Sequence, residues 1–309
     1  MEKKAKIYLA GHTGLVGSAI LRKLRANGFT NIITVTHRQL DLTNQLRVEN
    51  FFRKNQPEYV ILSAAKVGGI YANTVYPAQF IYENIAIQTN VIHSSYLYGV
   101  RKLLFFGSAC TYPRDCPQPM KERYLLSGYL EPTNEPYAVA KIAGIIMCKA
   151  YNRQYGKNFV CAIPTNTYGP TDSFDLKDAH VIPALIKKFH EAKVNGNRPV
   201  TVWGSGSPVR DFLYVDDLAD VAFFLLHNYN DANIINIGSG KGISIKKLVY
   251  IIRDVVGYSG KTIFDSSKPD GVLMKVLDIS KIKNLGWQPK TSLTDGIIKT
   301  YDWYIKHLR

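Results

Sequence analysis

The chain has 309 residues, 46 % of them apolar and 20 % charged, with a mean hydropathy of −0.10. That length suits one large domain or two fused ones with a real core, and the composition excludes a fibrous or mostly disordered chain. Lys+Arg 39 against Asp+Glu 24 leaves a formal charge of +15. It is spread in short clusters such as Lys3, Lys4 and Lys6 or Lys187 and Lys188. Without a basic run or a nucleic-acid motif, it fits solubility or an anionic small ligand better than nucleic acid.

The four cysteines, Cys110, Cys116, Cys148 and Cys161, form no CxxC pair and no zinc spacing, so no metal site is expected. No signal-peptide core opens the sequence, and no apolar run nears the ~20 residues of a membrane span. A soluble protein in a reducing, cytoplasmic setting, with no membrane partner, is expected.

In chain order, Ile7–Ala10 reads as a buried strand, followed by a helix from Gly14 to Asn27 that Gly28 closes. Ile32–Val35 is a second strand, and Thr43 is the expected cap of a helix carrying Leu46, Phe51 and Phe52. Tyr59–Ser63 is a third strand. Pro77 opens a long helix to about Tyr98, and Leu103–Phe106 is a fourth strand. A helix over Tyr137–Tyr155 precedes a fifth, Phe159–Ile163. Buried strands alternating with helices predict an α/β fold with a doubly wound parallel sheet. Beyond Pro164 the pattern loosens. Asn195–Pro199 and Trp203–Pro208 read as loops, and helical patterns recur at Val181–Ala192, Val215–Leu226, Ser244–Val255 and Leu293–Ile305. The expected division is a dinucleotide-binding domain over 1–165 and a smaller substrate domain over 166–309, with some elements crossing back.

The first strand runs into Gly11-His12-Thr13-Gly14-Leu15-Val16-Gly17. Glycines at this spacing let the backbone turn sharply, approach a pyrophosphate and seat the helix on the strand; the helix N-terminus favours the anion. A site for NAD expects a carboxylate at the end of the second strand. Here the stretch Thr34–Leu40 has none before Asp41, while Arg38, with His37, can face a 2′-phosphate, which favours NADP. Asp41 and Leu42 either sit by the adenine or begin the next helix.

The fourth strand ends at Gly107-Ser108, and Tyr137 and Lys141 lie one turn apart on a helix. A lysine beside a phenol is expected to lower the phenol's pKa and let it exchange a proton with an alcohol or ketone, with Ser108 bonding the same oxygen.

On the glycine turn, Ser108, Tyr137/Lys141, Asn166–Pro170 and Arg210–Asp217, the sequence resembles the extended short-chain dehydrogenase/reductase superfamily over nearly its whole length. The segments Ala65–Ile70, Gly107–Pro113, Glu131–Tyr137, Tyr151–Gly156, His180–Leu185 and Ser267–Gly271 narrow it to the epimerase-reductases of GDP-4-keto-6-deoxy sugars. The resemblance implies an NADPH-dependent enzyme that epimerises C3 and C5 of a GDP-linked ketosugar and reduces C4. Cys110 and His180 fall on the family's epimerisation base and acid. Their chemistry is coherent: the C4 ketone acidifies both carbons, and inversion needs a group on each face. The dehydratases of the superfamily carry an acidic pair where this chain has Ala109 and Cys110. Further cofactor contacts are implied at Phe106, Gly107, Ser108, Lys141, Pro164, Thr165, Asn166, Thr167 and His180. Sugar-nucleotide contacts are implied at Lys188, Trp203, Arg210 and Asp270. Thr13 departs from relatives that carry arginine. The two long helices would pair in a homodimer. A C4-reductase of a related GDP-4-keto sugar, such as a heptose, and a silent dinucleotide sensor stay open as alternatives.

Overall fold

The computed structural model describes residues 1–176, 179–268 and 270–308; Pro269 of the Ser267–Gly271 segment lies outside them. The first apolar run forms β1 (Ile7–Ala10), buried throughout, and leads into α1 (Leu15–Ala26). This helix buries Gly17, Ala19, Ile20 and Leu24 and stops before Gly28, whose φ of +79° suits glycine. β2 (Ile32–Ile33) is shorter than the expected Ile32–Val35, because only Ile7 and Tyr8 of β1 pair with it. The following helix, α2 (Gln45–Asn55), is capped by Asn44 and not by Thr43. The Asp41 carboxylate accepts from both the amide and the hydroxyl of Thr43, so the cap passes to the next residue.

β3 (Tyr59–Leu62), α3 (Ile70–Val75), α4 (Pro77–Leu97), β4 (Lys102–Phe106), α5 (Glu135–Tyr155) and β5 (Phe159–Pro164) complete the first pass. Pro77 starts α4 at the first helical position, where its missing N–H costs nothing. The chain then moves between two cores. β6 (Asn166–Tyr168), α6 (Val181–Val194), β7 (Val200–Trp203) and β8 (Val209–Tyr214) build the second. α7 (Val215–Asn228) and β9 (Ile235–Ile237) go back to the first. β10 (Gly242–Ser244), α8 (Ile245–Val256), β11 (Thr262–Asp265) and β12 (Met274–Lys275) follow, then α9 (Ser280–Asn284), with Ile282 in the first core, and α10 (Leu293–Lys306), with Ile297 and Tyr304 in the second. Trp203 therefore ends a strand instead of lying in a loop.

The main sheet has six parallel strands in the order β2-β1-β3-β4-β5-β9. Its strand order reverses between β1 and β3, and ligands of such sheets bind at the carboxyl ends beside that point. Right-handed crossovers put α1 and α2 on opposite faces; α1 packs with α7, and α4 packs with α2 and α5. Strand β8 joins the cores. Leu213 faces the first, while its neighbours Phe212 and Tyr214 face the second, as the two-residue period of a strand requires. Around β8 lie β6, β10 and β12, and β7 pairs separately with β11. Buried Lys102 of β4 donates to the carbonyls of Leu225 and Leu226 and to Asn230, closing the C-terminus of α7. Burial pulls its pKa down to about 8.

Candidate active site

Two glycines of the turn, Gly11 and Gly17, leave no room for a side chain. Gly11 has φ +86°, and a Cβ there would stand 2.6 Å from the Ala64 nitrogen. A Cβ on Gly17 would stand 2.0 Å from the Gly11 carbonyl oxygen. Gly14, the N-cap of α1, supplies no side-chain acceptor, so no cap side chain competes for the helix's first-turn N–H groups. The buried Nδ1 of His12 also lacks a partner among the described residues. Backbone donors and an unfilled histidine nitrogen at a helix start fit the pyrophosphate of a dinucleotide. Thr13 is exposed at the tip, and Leu15 and Val16 pack onto the first core.

Beyond β2, His37 and Arg38 are exposed, and no acceptor among the described residues holds the Arg38 guanidinium. The two Thr43 donors hold the Asp41 carboxyl below its usual range, so Asp41 is a turn residue ahead of α2. The carbonyl of buried Leu42 accepts from Asn90 at 2.9 Å.

At the carboxyl end of β4, buried Phe106 and Gly107 lead to Ser108, which starts the short turn Ala109–Thr111. Its Oγ accepts from the Cys110 amide at 3.2 Å and is hydrogen-bonded to Tyr137 of α5. Lys141, one turn further and buried, donates to the Phe106 carbonyl at 3.1 Å. Its ammonium lies 4.9 Å from the centre of the Phe105 ring and 5.9 Å from that of Tyr137. The expected lowering of the phenol pKa by Lys141 is not what the fold produces. The ammonium is engaged by a carbonyl behind the ring, and burial dominates. Burial drives the Tyr137 phenol upward, with Cys110 adding to the rise and the Ser108 hydrogen bond opposing it. Burial draws Lys141 down to about 8. A phenol kept protonated is suited to donating its proton.

Cys110 is half-buried. Its Sγ accepts from Nδ2 of Asn134 at 3.2 Å, and the Arg210 guanidinium of β8 and Tyr137 interact with it electrostatically. Arg210 also faces Asp270, whose carboxylate accepts from the amide and hydroxyl of Ser205 at 3.0 and 2.5 Å. Burial lowers the Arg210 pKa, and its interactions with Cys110 and Asp270 oppose the change. Trp203, 71 % exposed, has the ammonium groups of Lys188 and Lys268 5.8 and 5.9 Å from its ring. A run of electrostatic and hydrogen-bonding interactions thus links Ser108, Tyr137, Cys110, Arg210 and Asp270.

His180 stands apart from that run. It is the N-cap of α6, exposed on one side, and no hydrogen bond among the described residues holds its ring. The protein around its other sides lowers its pKa. Pro164 ends β5, and the side chains of Thr165 and Asn166 both donate to the Asp211 carbonyl, at 3.0 and 3.1 Å. Thr167 donates to the Thr165 carbonyl. These side chains hold β6 against β8 at the edge of the main sheet.

Three more residues stand here to which the sequence analysis gave no individual role, although Asp211 and Asn134 lie inside the Arg210–Asp217 and Glu131–Tyr137 segments. Asp211 is buried and accepts from Ser239 and Gly240, and a Cβ on Gly238 would stand 2.4 Å from it. Asp172 has a buried Oδ2 without a partner among the described residues, and burial raises its pKa to about 7. Its neighbour Thr171 lies 3.0 Å from the Ser18 hydroxyl of α1. Asn134 is a third. The segments around Asp211 and Asn134 were legible, but the partners of these residues were not, because they are distant in the chain.

A family model described as the NAD dependent epimerase/dehydratase family matches residues 7–238. Over 307 residues, covering 99 % of this chain and 95 % of the relative, the sequence is 57 % identical to GDP-L-fucose synthase 1 of Arabidopsis thaliana. The fold superposes with a TM-score of 0.96 on a GDP-6-OMe-4-keto-L-xylo-heptose reductase from C. jejuni, at 40 % identity and covering 100 % and 99 % of the two chains. A GDP-L-fucose synthetase from Naegleria fowleri bound to NADP superposes with a TM-score of 0.92 at 28 % identity, covering 99 % and 95 %.

Proposed function

The chain belongs to the NAD dependent epimerase/dehydratase family, and from that premise we propose that it converts GDP-4-keto-6-deoxy-D-mannose to GDP-L-fucose with NADPH. The observation that carries this reading is the thiol of Cys110 beside the Ser108–Tyr137 pair. A reductase alone needs the pair and has no use for a base next to it. The cofactor reading is supported by the glycine turn, the unfilled His12 nitrogen and the free Arg38 guanidinium.

When bound, NADPH supplies the hydride for C4. The Gly11–Gly17 turn would hold its pyrophosphate, and Arg38 with His37 its 2′-phosphate. Phe106 to Ser108, Lys141, the Pro164–Thr167 corner and Leu42 would supply further contacts. Cys110 as thiolate removes the protons that the C4 ketone acidifies at C3 and C5, and His180 returns them from the other face. Tyr137 donates its proton to the C4 oxygen, which Ser108 also bonds. Arg210 grips the diphosphate, Asp270 orients Arg210, and Trp203 with Lys188 covers the base or sugar.

The high structural likeness to a heptose reductase favours a second reading, C4 reduction of a related GDP-4-keto sugar. One experiment separates them: the NMR-identified product from GDP-4-keto-6-deoxymannose and NADPH. GDP-L-fucose is expected. A GDP-6-deoxy sugar of the D-series, or no turnover, overturns the first reading.

Two further elements belong to this proposal. The protein is a homodimer joined through α4 and α5, where Tyr82, Val139, Ile146 and Tyr155 are exposed; sedimentation at a monomer mass refutes it. Its setting is the cytoplasm, in keeping with four free cysteines. Among the described residues no helix is long and apolar enough to cross a membrane.

A further inference from the structure

Asn134 occupies the N-cap position of α5, where asparagine is favoured because its side-chain oxygen accepts a first-turn N–H. Here it makes no such bond. Its Nδ2 donates instead to Sγ of Cys110 at 3.2 Å, and its Oδ1 is buried with no partner among the described residues. A side chain that forgoes both the cap and a partner for its oxygen is held by another demand.

The surroundings fix it there. Glu131 accepts from the Thr133 amide and hydroxyl at 3.5 and 3.2 Å, and the Asn134 amide donates to the Glu131 carbonyl at 3.2 Å. Arg114 pairs with the same Glu131 at 3.7 Å. The turn before α5 is thereby closed without the Asn134 side chain. On the other side, the Cys110 amide is tied to Ser108.

We propose that Asn134 is the positioning residue of the epimerisation base: its amide N–H aims the Cys110 sulfur into the cleft and favours the thiolate over the thiol. The chemistry is direct. A donor to sulfur stabilises the anion, and the anion is both nucleophile and base. The charged and titratable groups facing the sulfur are the Arg210 guanidinium from β8 and the Tyr137 phenol from α5. The inference rests on the reading of Cys110 as the base.

Asn134→Asp and Asn134→Ser separate this role from a helix cap. Aspartate and serine cap helices about as well as asparagine but bring no amide N–H, and serine adds no charge. Two readouts are taken on the full-length enzyme. One is iodoacetamide labelling of the Cys110 peptide against pH, read by mass spectrometry; the other three cysteines are buried. The second is deuterium wash-in at C3 and C5 of the ketosugar without NADPH. In both variants the labelling midpoint is expected to move up by about one pH unit, a ~10-fold slower labelling at neutral pH. Wash-in falls ~10-fold as well, and direct reduction of the unepimerised ketone changes less than ~2-fold. Wild-type labelling curves in both variants overturn the proposal. So does an equal loss of wash-in and reduction, which would mark a structural effect on α5. Wild-type enzyme without wash-in refutes the epimerase reading, and the labelling curves then still decide whether Asn134 governs the thiol.

Discussion

The two ends of the proposed site are made of different material. At the proposed cofactor end, the decisive atoms are backbone: Gly11 and Gly17 leave no room for a side chain, and a Cβ at Gly17 would stand 2.0 Å from the Gly11 carbonyl oxygen. At the proposed substrate end, the decisive atoms are side chains from the ends of β4 and β8, from α5 and from the segment around Asp270, with His180 at the start of α6. The contrast teaches where each kind of site is vulnerable. A backbone site fails when an atom is added, and a side-chain site fails when one is removed.

The largest effect is expected from removing one atom at the side-chain end. Tyr137→Phe lowers kcat by ~10²–10⁴-fold, the usual contribution of a general acid, and leaves NADPH affinity nearly intact. Steady-state reduction and cofactor titration check it; wild-type turnover refutes the assignment. Adding one atom at the backbone end comes next. Gly17→Ala forces the turn to shift by more than an ångström, a displacement that costs ~100-fold or more in kcat/KM. Gly14→Ala is its control, since that Cβ meets nothing closer than 3.7 Å and the backbone there has negative φ. Equal damage from both would erase the distinction between the glycines.

Arg38 tests the boundary between the two ends, because it is a side chain serving the cofactor. Arg38→Ala should weaken NADPH by ~10–100-fold, the worth of a lost charge-assisted hydrogen bond, and barely change NADH. Cofactor titrations with both dinucleotides decide it. The last effect concerns stability. Burial raises Asp172 in the fold from 3.8 to about 7. A group raised on folding contributes stability that is fully present below its unfolded value and lost as pH climbs through about 7. Asp172→Asn carries no such loss, so its advantage over wild type opens between pH 4 and 7 and reaches on the order of 4 kcal/mol at pH 8. Thermal melts at pH 4 and pH 8 measure the gap; a gap of the same size at both would refute the assignment.

The sequence by itself determined what depends on neighbours in the chain. The buried runs at Ile7, Tyr59, Leu103 and Phe159, the helices between them and the glycine turn all follow from short-range pattern, because strand burial, helix periodicity and glycine dihedrals are local properties. Ser108 and the Tyr137/Lys141 pair were legible for the same reason. The tertiary structure decided what depends on distant partners. It moved the cap of α2 to Asn44 because Asp41 claims Thr43, placed Trp203 at a strand end through pairing with Asp265, and returned α7 and β9 to the first core. It also reversed the expected electrostatics of Tyr137. Helical spacing puts Lys141 on the same face, but only the packed core decides that its ammonium meets the Phe106 carbonyl and that burial governs the phenol. Desolvation is a property of everything surrounding a group, and no local stretch of sequence contains it.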